Sequence, residues 1–205
     1  MTQIWVDVDT GGGTVPVGVA YFQTGRALST TFVYDPSWLA RSDVYALDPV
    51  LPLVAGSSHV AGLPGCFQDA APDRWGRDLI RRRLARSTAS SAGSRTLTEL
   101  NFLLGVSDVT RQGALRFRMS AVGAPVTAGT AVPPLLALPR LLRAADDVAR
   151  GDPGDDEIKA LLDAGTASLG GAHPKAAVRD GERLLLAKFS HPQAEVNETA
   201  WEMAC

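Results

Sequence analysis

Cysteine, histidine and lysine are all scarce in this chain of 205 residues. The two cysteines, Cys66 and Cys205, form no disulfide framework, and the three histidines are too scattered to indicate a metal site. No apolar run approaches the roughly 18 residues that a membrane-spanning helix needs. The N-terminus is polar and starts at once as a strand, which argues against a signal peptide. These absences favour a cytoplasmic protein without a metal site in this chain.

The chain also lacks an excess of positive charge. Its formal net charge is −2, whereas domains that bind nucleic acid directly are usually basic. Apolar residues make up 45% of the chain and charged residues 20%, which is ordinary for a globular protein with a sizeable core. The composition therefore predicts one globular domain or two small ones, without a nucleic-acid-binding surface.

The pattern of the first 120 residues predicts a meander of short antiparallel strands, followed by helices and one further strand. Its predicted elements are strands at 3–8, 17–23 and 30–35, a short helix from Pro36, an ordered loop at 46–66, helices at 72–87 and 96–106, and a strand at 113–119. Asp73 is the predicted N-cap of the first long helix. The run Arg81-Arg82-Arg83 in that helix predicts a solvated face rather than a basic patch, because three successive residues point in three directions.

Residues 120–133 are mostly small residues with proline and glycine, and they predict a domain boundary. Two helices are predicted after it, at 135–151 and 155–165. A glycine-rich loop follows, then the strand KAAV, a type I′ turn at Asp180-Gly181, and the return strand RLLLAKF. Because this return strand is largely apolar, it is predicted to be central and buried on both faces.

The glycine-rich loop has the chemistry of an anion site. Gly170 and Gly171 lack a Cβ, so their backbone N–H groups can approach a ligand closely, and Ser168 adds a hydroxyl donor. Lys188 lies in the apolar strand, where a lysine is costly unless it is paired or bound to an anion. This order of elements is typical of a kinase N-lobe: a glycine-rich loop, then a strand, a turn and a strand with a lysine. In a kinase N-lobe, that lysine holds nucleotide phosphates.

These residues also have purely structural explanations. A glycine pair is often only a turn, and Lys188 can reach water from the strand end. Lys175, at the far end of the loop, could reach a phosphate, but the sequence favours a solvated loop lysine. The spacing does not match a P-loop, because Gly171 is not followed by Lys-Ser/Thr. It does not match a dinucleotide fingerprint either, because a strand and not a helix follows the loop.

Seven ordered blocks extend over nearly the whole chain: FVYDPSWL, LPLV, GCFQDAAPDRWGRDLI, LNFLLGVSDVTRQGALRF, GTASLGGAHPKAAV, LLLAKF and NETAWEMA. Together they resemble the HipA-type serine/threonine toxin kinases of bacterial type II toxin–antitoxin modules. The resemblance implies an α+β fold. Residues 1–120 are similar to the N-terminal subdomain of that family, a small β-rich unit with packed helices. Residues 133–205 are similar to its kinase N-lobe, with an antiparallel sheet and a glycine-rich loop.

The resemblance also implies ATP and Mg²⁺ as cofactors of the parent kinase. The implied cofactor-binding residues are Ser168, Gly170, Gly171, Lys175, Lys188 and Glu198. Lys188 matches the phosphate-binding lysine of the family, and Glu198 is the candidate for the helix carboxylate that pairs with it. Ser168 matches the serine whose autophosphorylation displaces the loop and inactivates the kinase, because a phosphate dianion and ATP cannot share one anion site.

The catalytic loop and the Mg²⁺-binding aspartate of the family have no counterpart in these 205 residues. Phosphoryl transfer depends on positioning by those groups, so we expect the N-terminal part of a kinase, truncated before the catalytic lobe and inactive alone. The implied partners are a HipB-like helix-turn-helix antitoxin and a translation-related protein substrate such as glutamyl-tRNA synthetase.

Two alternatives remain open from the sequence. The first is a non-catalytic binding module that docks an antitoxin or a separate kinase lobe. The second is a different small α+β nucleotide-binding enzyme, for which only the glycine-rich loop argues and which leaves residues 1–120 unexplained.

Overall fold

A computed structural model describes residues 1–89, 97–126, 132–151, 153–165 and 174–189. The chain divides into two compact units, an N-terminal unit of residues 1–71 and 96–127, and a second unit of residues 72–95 and 128–205. The helices are α1 (Pro36–Leu39), α2 (Gly65–Asp69), α3 (Arg74–Ala89), α4 (Glu99–Leu104), α5 (Leu138–Arg150) and α6 (Asp155–Asp163). With the antiparallel sheets described below, these helices confirm the predicted α+β class.

The N-terminal unit is built on one antiparallel sheet. Its strands are β1 (Thr2–Asp9), β2 (Thr14–Thr24), β3 (Leu28–Tyr34), β4 (Ser57–Ala61) and β5 (Leu115–Arg118), in the spatial order β4-β3-β2-β1-β5. The predicted meander of three strands and the strand at 113–119 are confirmed. The prediction that 46–66 is all loop is wrong, because β4 pairs with β3 and forms one edge of the sheet.

Aromatic side chains fill the core of the N-terminal unit. Phe22, Phe32, Phe67 and Phe117 are all buried. Phe67 of α2 meets the rings of Phe32 and Phe117 edge-on, with ring centroids 6.1 and 5.3 Å apart. Edge-to-face pairs of this kind add to the stability that apolar burial provides, so Phe67 helps to hold α2 on the sheet.

Helices make up most of the described part of the second unit. This unit includes residues 72–95, which the sequence places with the first 120 residues. Helix α3 buries Leu79 and Ile80. The predicted cap of α3 is present, because Oδ1 of Asp73 accepts a hydrogen bond from the Gly76 N–H at 2.7 Å. The residues that α5 and α6 bury follow a helical period and are Leu141, Ala144, Ala145, Val148, Ile158, Leu161 and Leu162.

A hairpin of β6 (Lys175–Asp180) and β7 (Arg183–Lys188) completes the described part of the second unit. The loop of the hairpin is Gly181-Glu182, one residue later than predicted. Gly181 has a φ of 59° while Glu182 has no positive φ, so the turn follows the type II′ pattern and not the predicted type I′. On the other edge of β6, the N–H groups of Ala177 and Arg179 donate to the carbonyls of Ala164 and Pro133.

Candidate functional site

The hairpin carries two of the chain's three lysines, and its register places Lys175 directly opposite Lys188. Directly opposite residues of an antiparallel pair project from the same face of the sheet. The surroundings of the two side chains differ, since Lys175 is 7% exposed and Lys188 is exposed. The exposed ammonium of Lys188 is therefore the better candidate for contact with an anionic ligand.

Strand β7 is not the buried central strand that its composition predicts. The described residues of this sheet form only β6 and β7, and Leu184 and Leu186 are 56% and 52% exposed. Strand alternation places both leucines on the same face as Lys188. The expectation that Lys188 requires an anion because it is buried therefore fails, and the cost of burial applies to Lys175 instead.

Lys175 is not a solvated loop lysine, because it is the buried first residue of β6. Its Nζ lies 3.9 Å from Oδ2 of Asp73, whose side chain is only 10% exposed. Burial raises the pKa of the Asp73 carboxyl, and the Gly76 N–H and the Lys175 ammonium oppose this rise. The structure thus brings together a buried cation and a buried carboxylate beside the candidate ligand-binding lysine.

The sequence around Asp73 indicates only a helix cap. Asp73 precedes α3 and Lys175 begins β6, so no local spacing pattern connects them. The pair can be found only from the tertiary structure. Ion-pair partners in different elements are determined by how those elements pack and not by sequence distance.

Four of the predicted site residues, Ser168, Gly170, Gly171 and Glu198, lie outside the described residues. Their roles remain predictions. In the part of the chain that is described, no group of three or more His, Cys, Asp and Glu side chains is arranged to hold a metal ion. The described part of the site therefore offers cationic groups for an anion and no set of carboxylates for Mg²⁺.

The arginine run of α3 behaves as a solvated helix face. Arg81 and Arg82 donate to the carboxylate of Asp78 at 3.2 and 2.8 Å, and the side chains of Arg81 and Asp78 are 55% and 38% exposed. Such pairs at spacings of three and four residues stabilise a helix surface slightly. The exposure and pairing of Arg81 and Arg82 agree with the predicted solvated helix face.

A family model described as the HipA N-terminal domain matches residues 11–117, just over half of the 205 residues. The matched span contains β2 to β4 of the N-terminal sheet and all but the last residue of β5. The chain belongs to the HipA family. No curated protein is similar enough to match the chain.

Membership of the HipA family makes this a toxin-related protein of the toxin–antitoxin type, and HipA-family proteins generally pair with a HipB antitoxin. The match also accounts for most of residues 1–120, which the alternative of an unrelated small nucleotide-binding enzyme left unexplained. Among the described helices of this HipA-family chain, none is long and apolar enough to cross a membrane.

We predict that Cys66 of this HipA-family chain is unreactive in the folded state. Burial, assisted by the nearby carboxylate of Asp48, raises the pKa of the Cys66 thiol to about 12. Because the thiolate is the reactive form, labelling of the folded chain near pH 8 is expected to be about a thousandfold slower than labelling of an ordinary cysteine. A disulfide-exchange assay on the Cys205→Ser variant, with and without urea, measures this. Equally fast labelling in both conditions contradicts the prediction.

Proposed function

We propose that this chain is the N-terminal portion of a HipA-type, ATP-dependent serine/threonine protein kinase. The parent is the toxin of a toxin–antitoxin system that acts in the cytoplasm. It arrests growth by phosphorylating a translation-related protein such as glutamyl-tRNA synthetase. The observation that carries this proposal is the match of residues 11–117 to the HipA N-terminal domain, and the lysine-bearing hairpin supports it.

On this proposal, the hairpin provides part of a nucleotide site. The exposed ammonium of Lys188 contacts ATP phosphates, with Glu198 as its carboxylate partner. Backbone N–H groups at Gly170 and Gly171 approach the same phosphates. Phosphorylation of Ser168 introduces a dianion that competes with them, which makes Ser168 the off-switch.

We further propose that this chain alone transfers no phosphoryl group. The reaction depends on a base that orients the hydroxyl and on carboxylates that hold Mg²⁺. The described residues fit the phosphates of ATP through Lys188, but they provide no cluster of Mg²⁺ ligands. The role of this chain in the parent kinase is then to bind nucleotide and to carry the HipA N-terminal domain.

A HipB-like helix-turn-helix antitoxin restrains the parent kinase on this proposal. With a net charge of −2, this chain is poorly suited to hold DNA phosphates itself. DNA recognition is accordingly assigned to the antitoxin.

Replacing Lys188 by methionine is expected to weaken binding of Mg·ATP to the 205-residue chain by about tenfold to a hundredfold. Methionine retains much of the apolar stem and removes the ammonium, whose hydrogen bonds to a charged ligand are worth roughly 1.5–3 kcal/mol. Isothermal titration calorimetry on the purified chain measures the change directly.

The matched control is Lys159→Met, because Lys159 is the remaining lysine of the chain and is exposed on α6. This control is expected to bind Mg·ATP as the wild-type chain does. The assignment of Lys188 is wrong if the two variants bind equally well.

The alternative function is that of a non-catalytic module that docks an antitoxin or a separate kinase lobe. The observation in its favour is the exposed apolar pair Leu184 and Leu186 on β7. If the wild-type chain shows no heat of binding with Mg·ATP, but Leu184→Ser abolishes its association with a HipB-like antitoxin, the docking function is preferred.

A further inference from the structure

The pair of opposite lysines on the hairpin poses an electrostatic problem. Like charges directly opposite each other on two paired strands repel and destabilise the pairing. Here the exposed Lys188 is opposite Lys175, whose side chain is 8% exposed. Water screens the buried ammonium poorly, so the hairpin needs a negative charge near Lys175.

Asp73 supplies that charge and has two distinct tasks. Its Oδ1 accepts from the Gly76 N–H at 2.7 Å and so caps α3, while its Oδ2 lies 3.9 Å from Nζ of Lys175. This Oδ2 is buried, and no group in the described part of the chain donates a hydrogen bond to it. A carboxylate that only capped a helix would gain nothing from burying its second oxygen beside an ammonium.

Stability alone is a weak explanation for this buried pair. Removing two charges from water offsets most of their attraction, and well-packed apolar residues of similar volume stabilise a protein equally well or better. The separation of 3.9 Å is also longer than that of a good charge-assisted hydrogen bond. A buried pair does fix the positions of both side chains. If either side chain moves away, the other charge stays buried without a partner, which is costly.

The Asp73–Lys175 pair contacts the hairpin at the end opposite its turn. The turn Gly181-Glu182 closes one end of the hairpin, and Lys175 and Lys188 lie at the other, open end. There the Phe189 N–H donates to the Pro174 carbonyl at 2.9 Å, and further along β6 the Ala177 N–H donates to the Ala164 carbonyl. Asp73 thus contacts the hairpin at the end that carries the exposed lysine.

We infer that Asp73 is a positioning residue, whose carboxylate holds Lys175 at the start of β6 and thereby fixes the open end of the hairpin that presents Lys188. The two lysines then have different roles, with Lys175 as an anchor and Lys188 as the ligand-binding cation. The role of Lys188 rests on the proposed function, whereas the anchoring role of Asp73 does not depend on nucleotide.

Hydrogen exchange of the ligand-free 205-residue chain tests the anchor. The variant is Asp73→Asn, because asparagine is as good a helix cap as aspartate but carries no charge. We expect the amides of peptide 174–189 to exchange at least about tenfold faster than in the wild-type chain, because local opening of the hairpin becomes easier. Lys175→Met is expected to have the same effect, and Lys175→Arg, which keeps the cation, is expected to restore slow exchange.

Two controls separate anchoring from a general loss of stability. Asp78→Asn removes a carboxylate from the exposed face of the same helix and is expected to leave exchange in the hairpin unchanged. The paired variant Asp73→Asn/Lys175→Met leaves no uncompensated buried charge and remains informative if Asp73→Asn alone does not fold. We expect its hairpin to exchange as fast as that of Lys175→Met. The inference is overturned if these Asp73 variants exchange in the hairpin at the rate of Asp78→Asn.

Calorimetry with Mg·ATP on the same proteins distinguishes this inference from the proposed function. We expect Asp73→Asn to bind Mg·ATP several-fold more weakly than the wild-type chain, and Lys188→Met to lose affinity without faster hairpin exchange. If the wild-type chain binds no Mg·ATP but Asp73→Asn loosens the hairpin, the proposed function fails and the anchor is supported. If Mg·ATP binds normally and Asp73→Asn changes neither measurement, the anchor is refuted and the proposed function stands.

Discussion

Replacing Gly18 by alanine is expected to destabilise the N-terminal unit by about 3 kcal/mol or more, a large part of the 5–15 kcal/mol that usually holds a domain folded. A Cβ at this position of β2 would lie 2.3 Å from the carbonyl oxygen of Val33, 2.7 Å from Cζ of Phe32 and 3.1 Å from Cα of Tyr34. Two of these atoms belong to the backbone of the paired strand β3 and cannot move aside without breaking the pairing. The third belongs to a completely packed core ring.

Urea unfolding followed by circular dichroism measures this effect. Gly25→Ala is the matched control, because a Cβ at Gly25 meets no atom within 4 Å, and this substitution is expected to change stability by no more than about 0.5 kcal/mol. Similar unfolding midpoints for the two variants would contradict the close approach of β2 and β3 at Gly18.

Replacing Arg111 by methionine is expected to cost about 3–5 kcal/mol, because it leaves an uncompensated buried carboxylate. The Arg111 side chain is fully buried and forms an ion pair with Asp108. Its guanidinium also donates to the carbonyls of Ala70, Leu103 and Val106 at 2.8–3.1 Å and lies over the ring of Phe117. These carbonyls belong to the C-terminal ends of α2 and α4, where helices leave acceptors without a partner.

The paired variant Asp108→Asn/Arg111→Met separates the buried charge from the lost carbonyl partners. It is expected to be more stable than Arg111→Met, because no charge is left behind. Arg116→Met, which breaks the more exposed pair of Arg116 and Asp9, is the control and is expected to cost much less. A loss of stability for Arg111→Met as small as that for Arg116→Met would show that the guanidinium is not a structural centre of this unit.

The loss of stability caused by Arg111→Met is also expected to depend on pH. Burial raises the pKa of the Asp108 carboxyl, and Arg111 opposes that rise. Without Arg111, the pKa of Asp108 in the folded state rises further above its unfolded value. The cost of keeping the carboxylate ionised is then present above this raised pKa and disappears as pH falls through it. The stability difference between the wild-type chain and Arg111→Met is therefore expected to narrow as pH falls from neutrality towards the unfolded-state pKa of aspartate, about 3.9.

Strand β4 shows why part of the fold escaped prediction. Residues Ser57–Ala61 have only one strong strand-forming side chain, Val60, and they lie in a segment rich in proline and glycine. They form a strand because β3 offers a free edge with which to pair. The strands β1 to β3 were predictable because their own alternation of apolar and polar residues marks the face that the core buries.

The exposure of β7 was also not predictable from the sequence. The run RLLLAK is apolar enough to indicate a central strand, yet Leu184 and Leu186 are exposed in the described two-stranded sheet. An apolar composition shows only that a strand can be buried. Whether it is buried depends on whether another helix or sheet covers it. A buried lysine is costly, as expected from the sequence, but the buried lysine is Lys175 and not Lys188.

The sequence alone determined the features that neighbouring residues control: the three-strand meander, the Asp73 cap, the longer helices, the hairpin, and the ordered motifs that identified the HipA family before any contact was known. Only the tertiary structure decided which distant groups meet, including Asp73 with Lys175 and Arg111 with the Ala70 carbonyl. The physical reason is that periodicity and capping act within a few residues along the chain. Desolvation and ion pairing act between whatever side chains the packing brings within about 4 Å of each other.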